Sequence, residues 1–251
     1  MRNTALDIWI MTKRNVLRYR RIPTLMVFAS IQPIMFLLLF NFVFGGAIDD
    51  DGNYAQFLIP GLIVQTMLFG GTQTSVGLAE DMKNGIVDRF KSLPMNRGAV
   101  ILGRALADGL RNIFVAIIMI SVGYLLGFEL LNGVLTSIAG VFLITLFGFV
   151  FSWVMILLGL LVKDPESVNT ASFLIVFPLS FASNVFVPVA GMPAWLQAFV
   201  ANQPVTHAVN ATRGLLVNGQ NYDAIWKLAI WMTLILAVFM PLSIRQFRKA
   251  S

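Results

Sequence analysis

Long apolar stretches, separated by short polar segments, dominate the pattern of residues along this chain. A helix of about 20 apolar residues crosses roughly 30 Å of hydrocarbon, so each such stretch predicts one membrane-spanning helix. The six predicted spans cover residues 24–44, 54–79, 105–128, 134–162, 169–189 and 224–244. The first stretch is too long for the apolar part of a cleaved signal peptide, and a polar leader precedes it. The pattern therefore predicts an all-α integral membrane protein with six transmembrane helices.

Composition agrees with a surface that faces lipid. Apolar residues make up 57% of the 251 residues and charged residues only 12%, about half the usual charged share of a soluble protein. The chain has no cysteine and one histidine, His207, which excludes disulfides and cysteine nucleophiles and argues against histidine-cluster metal sites. No Walker A pattern, G-x-x-x-x-G-K-[ST], occurs, so ATP and its Mg²⁺ are expected on another polypeptide. We expect no cofactor, metal or catalytic residue in this chain.

The placement of basic residues predicts the orientation in the membrane. Of the 18 Lys and Arg residues, only Arg213 and Lys227 fall on the side opposite the leader. The first loop on that side instead carries Asp49, Asp50 and Asp51. Both termini are therefore predicted to be cytoplasmic, in a multi-pass protein of the plasma (inner) membrane. The same placement accounts for the net charge of +6 without nucleic acid as a partner.

Residues 1–23 are predicted to form an amphipathic interfacial helix, ahead of a membrane domain of residues 24–251. At 100° per residue, one polar stripe contains Asp7, Arg14, Arg18 and Arg21. The opposite face contains Ala5, Ile8, Trp9, Thr12, Val16 and Tyr19. This second face is expected to meet the cytoplasmic membrane surface. A basic tail that only sets the topology is the alternative.

The connection between the second and third spans mixes both charge signs with an apolar stripe. The stripe recurs at i, i+1, i+4 and i+7 and contains Ile86, Val87, Phe90 and Leu93. A solvated linker needs no such stripe, whereas a short cytoplasmic helix that docks into a partner does, with Arg89 and Lys91 available for ion pairs. A helix on the lipid headgroups is the alternative. Pro94 is predicted to end the helix, because proline disfavours the helical conformation of the residue before it.

The order of several motifs resembles the ABC-2 type permeases, in particular the daunorubicin-resistance-like exporter subunits. The motifs are Glu80-Asp81…Gly85…Asp88-Arg89-Phe90…Ser92-Leu93-Pro94-Met95…Arg97, Lys163-Asp164-Pro165-Glu166, Phe177–Pro188, Met192–Gln197, Asn202–Thr206 and Arg213-Gly214. Each motif is short, but together they span nearly the whole chain in the order of that family.

The resemblance implies an exporter built from two permeases, identical or paralogous, and two copies of a separate P-loop ATP-binding subunit. It implies a coupling helix after the second span and a fourth-to-fifth connection that also faces the ATP-binding subunit. The implied coupling residues are Glu80, Asp81, Gly85, Ile86, Val87, Asp88, Arg89, Phe90, Leu93, Pro94, Asp164 and Glu166. It further implies that spans two and five line the route between the permeases, and that the fifth-to-sixth connection re-enters the outer leaflet.

Spans two and five carry side chains suited to such a route or to a permease dimer interface. They are Gln65, Thr66, Thr72, Gln73, Phe173, Phe177, Ser180, Phe181 and Asn184. Polar side chains in a membrane favour protein or water over lipid, but helix packing explains any one of them equally well. The three phenylalanines recur every four residues and could form a wall for a hydrophobic substrate. A lipid-facing or packing stripe is the alternative.

The connection of residues 190–223 is too long and too apolar for a solvated loop. Met192, Trp195, Leu196 and Phe199 predict one short helix, and a second is expected to begin around Pro204 and stop near Gly219. His207 and Arg213 are expected to make structural hydrogen bonds there. Asp108 and Arg111, at the start of span three, are expected to pair with each other or with Arg104.

The expected function is that of the non-catalytic membrane subunit of an ATP-driven exporter of an amphiphilic drug, lipid or glycolipid. A polysaccharide or lipo-oligosaccharide exporter is the alternative within the same family. An intramembrane enzyme would need a convergent set of acid, base, nucleophile or metal ligands, and the spans contain none. A membrane scaffold without energy coupling is the remaining alternative.

Overall fold

A computed structural model describes residues 4–48, 54–92 and 97–249, and all regular structure in these ranges is helical. The helices in chain order are α1 Thr4–Arg21, α2 Pro23–Leu39, α3 Gly45–Ile48, α4 Tyr54–Lys83, α5 Ile86–Ser92, α6 Arg97–Leu125, α7 Val134–Val162, α8 Pro165–Phe181, α9 Ala194–Asn202, α10 Pro204–Arg213 and α11 Tyr222–Lys249. Two π-helical turns, Phe40–Phe44 and Gly214–Asn218, continue α2 and α10, and a 3-10 turn covers Val189–Gly191. Asp49, Asp50, Asp51, Leu93 and Pro94 lie outside the described residues.

In the described part of the chain, five helical segments are long and apolar enough to cross a membrane. They are Met26–Phe44, Tyr54–Lys83, Gly98–Leu125, Val134–Val162 and Tyr222–Lys249, which correspond to predicted spans one, two, three, four and six. Helices α4, α6 and α11 are longer than their predicted spans. Each extends beyond its span at the end where the basic residues are concentrated, on the side predicted to be cytoplasmic. Hydropathy marks only the part of a helix that lies in hydrocarbon, because a helix can continue into water with its backbone still hydrogen-bonded.

The predicted fifth span is only partly helical. Helix α8 ends at Phe181, whereas the prediction placed the end at Val189. After α8, side-chain hydrogen bonds replace the helical pattern, because Ser183 Oγ donates to the Ser180 carbonyl and accepts from the Val185 amide at 3.2 Å. Such local bonds offer the backbone an alternative to the helix. With 17 residues, α8 is shorter than the five segments above.

Helix α4 lies at the centre of the packing and contacts α2, α6, α7, α8 and α10. Most of its side chains are buried, including Ile59, Ile63 and Met67. Glycines allow its neighbours to approach closely: a Cβ atom on Gly61 would lie 2.6 Å from the carbonyl oxygen of Val185. Small residues serve this purpose where helices pack in membranes. The helix predicted to line a transport route is thus also the core helix of the chain.

Large apolar side chains cover the outward faces of the helices. Phe28, Leu125, Leu135 and Leu174 are each at least 70% exposed. In a chain that spans a membrane, this surface meets lipid or another subunit rather than water.

Helix α1 packs against α6. A Cβ atom on Gly103 of α6 would overlap Met11 and lie 2.8 Å from the backbone nitrogen of Thr12, so only glycine permits this approach. Thr12 is buried, and Tyr19 reaches a hydrogen-bond partner inside the protein. The prediction that the face containing Thr12 and Tyr19 meets the membrane is therefore wrong for these two residues. Trp9, from the same predicted face, is exposed.

Two helices occupy the connection between α8 and α11. Helix α9 is largely exposed, whereas α10 is buried against α4, α7 and α11. The π-helical turn that continues α10 ends at Asn218 and is followed by Gly219, whose φ of +85° favours glycine.

Candidate transport cavity and coupling surface

A cavity of about 460 Å³ lies between α1, α2, α4, α6 and α8. Pockets of roughly 300–1,000 Å³ accommodate drug-sized ligands. Its lining combines aromatic rings with amide, hydroxyl and charged side chains. Representative lining residues are Phe28, Gln32, Phe36, Gln65, Thr66, Phe69, Thr72, Gln73, Asp108, Arg111, Asn112, Asn169 and Phe173. The cavity therefore offers both apolar and polar surface to a guest.

The structure brings five of the nine predicted route residues to this cavity. They are Gln65, Thr66, Thr72, Gln73 and Phe173. The first four come from α4 and the last from α8, where its ring centroid lies 6.0 Å from that of Phe69. Helices α4 and α8, which fall in the predicted second and fifth spans, therefore lie next to each other within one chain.

The other four predicted route residues lie outside the cavity. Phe177 and Phe181 continue the ring stack along α8, with centroid separations of 5.2 Å and 4.2 Å from one ring to the next. Both rings are partly exposed. Ser180 and Asn184 are buried in the protein, and Asn184 Nδ2 donates to Asn210 Oδ1 at 2.5 Å. These two polar residues serve internal packing in this conformation.

Two polar side chains in the cavity wall carry unsatisfied atoms. Gln65 Nε2 and Thr72 Oγ1 are buried and have no hydrogen-bond partner in the described part of the chain. The hydroxyl of Thr66, on the same helix, donates instead to the Leu62 carbonyl at 2.7 Å. Buried polar groups are nearly always paired. Rotation of either unsatisfied side chain toward the cavity would make its polar atom available to a guest.

A buried ionic network forms one wall of the cavity. Asp108 accepts hydrogen bonds from Tyr19 and, at 2.5 Å, from Thr74, and it lies 3.5 Å from Arg111 Nη1. Arg111 also donates to the Gly70 carbonyl at 3.0 Å. Burial is the main cause of a raised pKa of Tyr19, and the charge of Asp108 is the second cause. The Tyr19 hydroxyl therefore stays protonated and donates to Asp108. The expected pairing of Asp108 with Arg111 is confirmed.

Two glycines of α4 leave room for the charged side chains of α6. A Cβ atom on Gly70 would lie 2.7 Å from Asn112 Oδ1 and 3.0 Å from Arg111 Nη2. A Cβ atom on Gly77, two turns further along, would overlap the guanidinium of Arg104. The spacing places both glycines on one helix face. That face admits polar groups between two helices that otherwise pack tightly.

Arginines from two other helices hold the end of α4 that the sequence predicts to be cytoplasmic. Arg104 Nη1 of α6 lies 2.8 Å from Asp81 Oδ2, and Arg14 Nη2 of α1 lies 3.9 Å from the same atom. Arg18 of α1 lies 3.6 Å from Glu80. Burial lowers the pKa of Arg14, and Asp81 opposes this shift. Arg104 thus pairs with Asp81. The alternative expected from the sequence was a pair between Arg104 and Asp108.

Helix α5 begins after a turn at Gly85, whose φ of +67° favours glycine. Val87 is buried in an apolar cluster that α4 and α6 also join, Ile86 is half-buried, and the guanidinium of Arg14 lies 4.6 Å from the centroid of the Phe90 ring. Val87 and Phe90 thus contact an apolar cluster within the chain, and docking of the predicted stripe into a partner stays a prediction. Proximity to α4 and α6 buries Val87.

The exposed side of α5 carries Asp88 and Arg89. Close to it, Lys83 Nζ at the end of α4 lies 3.5 Å from Asp164 Oδ1, in the connection before α8. Asp164 caps α8 by accepting from the Ser167 amide at 3.0 Å, and this bond is the main cause of its lowered pKa. Glu166 is exposed beside it. The two connections predicted to face a common partner therefore lie next to each other.

At the opposite end of α4, Arg213 of α10 is buried and donates to backbone carbonyls. Its Nη2 lies 2.8 Å from the Phe57 oxygen and 3.3 Å from the Asn184 oxygen, and its guanidinium sits 3.8 Å above the Phe57 ring. Among the described residues, no carboxylate pairs with it. Arg213 makes the structural hydrogen bonds that were expected of it.

Several residues of the site were not predicted from the sequence. Tyr19 and Thr74 complete the network around Asp108, and α2 contributes Phe28 and Phe36 to the cavity. A charged residue within an apolar run is a signal of function, and Asp108 is such a residue. Its partners lie on other helices, and local periodicity does not identify them. Within residues 4–48, 54–92 and 97–249, no group of three His, Asp or Glu side chains could hold a metal ion.

Comparison with known proteins shows that the chain is similar to membrane transporters. Residues 7–217 match the ABC-2 type transporter family. The chain is 33% identical over 249 residues to the daunorubicin resistance ABC transporter permease protein DrrB1 of Streptomyces coeruleorubidus, with 98% of this chain and 86% of the relative covered. It is 26% identical over 247 residues to the probable doxorubicin resistance ABC transporter permease protein DrrC of Mycobacterium tuberculosis, covering 96% and 88%. It is 24% identical over 192 residues to the probable multidrug ABC transporter permease YbhR of Escherichia coli, covering 73% and 50%.

Proposed function

The chain belongs to the ABC-2 type transporter family as a multi-pass membrane permease subunit, and we propose that it exports an amphiphilic substrate using ATP hydrolysed by a separate subunit. The observation that carries the proposal is the placement of α4. At one end, its Glu80 and Asp81 take part in ion pairs beside α5, and in its middle Gln65 and Thr72 line the cavity. A force on the cytoplasmic end therefore reaches the cavity through one continuous helix.

The proposed topology has six membrane crossings, with both termini cytoplasmic in the plasma (inner) membrane. Helix α8 is about 26 Å long at 1.5 Å per residue, and residues 182–188 complete its crossing. Non-helical backbone is tolerated at membrane depth when protein buries it, and Gln203 and Arg213 donate to carbonyls of this segment. Helices α9 and α10 would then re-enter the membrane from the outer side. The basic residues at both termini support this orientation.

The proposed transporter contains two permeases and two ATP-binding subunits. ATP would bring the two ATP-binding subunits together and move α5 and the Lys83–Asp164 contact beside it. The two permeases would then rock, opening a path between α4 and α8 toward the outer side. Each state needs its own packing arrangement, and ATP must bind one arrangement better than the other.

The proposed cargo is a drug, lipid or glycolipid of modest size. Aromatic rings together with amide and hydroxyl groups fit a molecule that is largely apolar with a few hydrogen-bonding groups. The volume of about 460 Å³ favours such a molecule over a polysaccharide. Resistance to daunorubicin and doxorubicin in the names of two relatives makes daunorubicin a suitable probe.

The test measures ATP-dependent daunorubicin uptake into inside-out vesicles that contain this permease and a P-loop ATP-binding subunit that co-purifies with it. Thr66→Trp fills the cavity and is expected to lower uptake at least tenfold while ATP hydrolysis without substrate continues. Thr233→Trp is the matched control, because this threonine also bonds to the carbonyl four residues earlier but is exposed on α11. Uptake that survives Thr66→Trp would remove the cavity from the route. Failure of the unsubstituted complex to move daunorubicin or a fluorescent phospholipid would refute amphiphile export.

A further inference from the structure

Helix α1 exposes a stripe that combines apolar and basic side chains. The stripe follows the spacing i, i+3, i+4, i+7, i+11 and i+14 and contains Leu6, Trp9, Ile10, Lys13, Leu17 and Arg20. Trp9 is 63% exposed and Leu6 is 53% exposed. Arg21 is exposed next to the stripe, and the stripe contains no acidic residue. In water, such a surface would leave four large apolar side chains without cover.

The other side of α1 is bound to the moving parts of the proposed transporter. Arg14 and Arg18 lie near Asp81 and Glu80 at the cytoplasmic end of α4. Tyr19 donates to Asp108 in the cavity wall. A single helix therefore joins an exposed amphipathic surface to both the coupling end and the cavity. Whatever holds the exposed surface also affects the ion pairs of the opposite side.

We propose that the exposed stripe of α1 binds anionic phospholipid headgroups of the cytoplasmic leaflet, and that this contact keeps α1 in the position that couples ATP hydrolysis to transport. The inference rests on the proposed function and its orientation. It goes further by naming the lipid class and the surface that binds it, and by making lipid charge a regulator of coupling.

Continuity with the first span supports a lipid occupant. Helix α2 begins at Pro23, directly after α1, and its apolar segment starts at Met26. If α2 crosses the membrane, the end of α1 therefore lies at the level of the lipid headgroups. Tryptophan favours this zone, and leucine and isoleucine side chains of an in-plane helix reach the acyl chains below it.

Charge complementarity supports an anionic headgroup. Lys13, Arg20 and Arg21 all lie on the exposed side, where no carboxylate of the stripe neutralises them. Each basic residue close to an anionic leaflet strengthens membrane binding about fivefold. Removal of two such charges should therefore weaken the association of α1 with an anionic membrane by roughly 25-fold.

The first measurement locates α1 relative to the membrane. The chain has no cysteine, so Leu17→Cys provides a single site for a nitroxide label on the stripe. In the reconstituted complex, we expect the label to reach the acyl-chain region in vesicles that contain phosphatidylglycerol, and to become shallower and more mobile in phosphatidylcholine alone. Equal depth in both lipids, or a label exposed to water in both, would overturn the proposal. A label shielded from oxygen and from water-soluble relaxants only in native membranes would show that a protein covers the stripe, which would also overturn it.

The second measurement tests the consequence for coupling. Daunorubicin uptake per ATP hydrolysed is expected to rise several-fold when phosphatidylglycerol is added to phosphatidylcholine vesicles. The double substitution Lys13→Gln/Arg20→Gln should abolish most of this rise. The control Arg245→Gln/Arg248→Gln removes the same charge from exposed positions on α11 and should keep the rise. An unchanged lipid response in the α1 variant, or equal loss in the control, would contradict the proposal.

The two measurements separate the possible failures. If no lipid mixture supports ATP-dependent uptake, the proposed function fails, while the depth of the label still decides whether α1 binds anionic lipid. If uptake occurs but ignores lipid charge, the proposed function stands and the regulatory role of α1 is refuted.

Discussion

The two ends of α4 are held in place by different interactions. At the end that we propose to be cytoplasmic, Asp81 lies near arginines of α1 and α6, and Lys83 lies near Asp164. At the opposite end, buried Arg213 donates to backbone carbonyls, and the Tyr54 hydroxyl donates to the Phe186 carbonyl at 2.9 Å. One end thus depends on pairs of charged side chains, whereas the other depends on bonds between side chains and the backbone.

The difference indicates which end can rearrange. The exposed ion pair Arg18–Glu80 is worth about 0–1 kcal/mol, and the charged groups of this pair and of the exposed pair Lys83–Asp164 can exchange partners or return to water. A buried carbonyl that loses its donor costs about 1–3 kcal/mol. The cytoplasmic end therefore suits motion imposed by a partner, and the outer end suits a fixed brace. The predictions below test this contrast.

The largest effect is expected at the outer brace. Arg213→Leu removes the donor to the carbonyls of Phe57 and Asn184 and should lower the free energy of unfolding by about 2–4 kcal/mol. Arg213→Gln keeps an amide donor without the charge and should recover part of the loss. Thermal unfolding of the purified permease in lipid nanodiscs measures both. If the leucine variant matched the unsubstituted protein, Arg213 would not be a brace.

A smaller loss is expected where α1 meets α6. Gly103→Ala places a methyl group against Met11 and the backbone of Thr12 and should cost about 1–3 kcal/mol, because this packing has little room to relax. Gly109→Ala, on the same helix, would meet only Thr145 at 3.9 Å and should be neutral or slightly stabilising. Comparison of the two melting temperatures tests whether α1 is packed on α6. Equal melting temperatures would contradict that packing.

Regions in contact with lipid were the most predictable from the sequence. The predicted fourth span, residues 134–162, coincides with α7, because lipid on the outside and apolar partners on the inside both select apolar residues. The end of α8 was not predictable in this way. Residues 182–188 include apolar residues such as Val185 and Phe186 but are not helical. Gln203 and Arg213, distant in sequence, donate to the carbonyls of Ala182 and Asn184 there.

Helix α1 illustrates a second limit of sequence patterns. Periodicity assigned Thr12 and Tyr19 to one face, and they do share one, but it did not reveal what that face contacts. The contact is decided by Gly103 and Asp108 of α6, which belong to a different apolar stretch. Five route residues of α4 and α8 were predicted and line the cavity. The partners of the buried ions were less accessible, because an ion pair between distant helices has no fixed spacing.

A substitution in the cavity wall, between the two ends of α4, is expected to stabilise the protein. Thr72→Val removes a buried hydroxyl that has no partner in the described residues and should stabilise the permease by about 1 kcal/mol. The control Thr66→Val removes a hydroxyl that bonds to the Leu62 carbonyl and should be neutral or slightly destabilising. Chemical unfolding of both variants in the same lipid measures the difference. Destabilisation by Thr72→Val alone would mean that its hydroxyl is already satisfied, for instance by water.

The smallest effect is expected at the exposed cap of α8. The amide and hydroxyl of Ser167 and the charge of Lys83 lower the pKa of Asp164, so the carboxylate stabilises the folded protein above the ordinary pKa of aspartate. That contribution disappears as the pH falls through the lowered pKa. At neutral pH, Asp164→Ala should therefore melt slightly below the unsubstituted protein, and the gap should close as the pH is lowered below about 4. Screening by salt should affect only the Lys83 part of the gap, because the cap is a local hydrogen bond. A difference in melting temperature that widened in acid would show that the fold favours the protonated form of Asp164. This end of α4 would then be held by a neutral hydrogen bond and not by exchangeable charges, which would contradict the contrast with the Arg213 end.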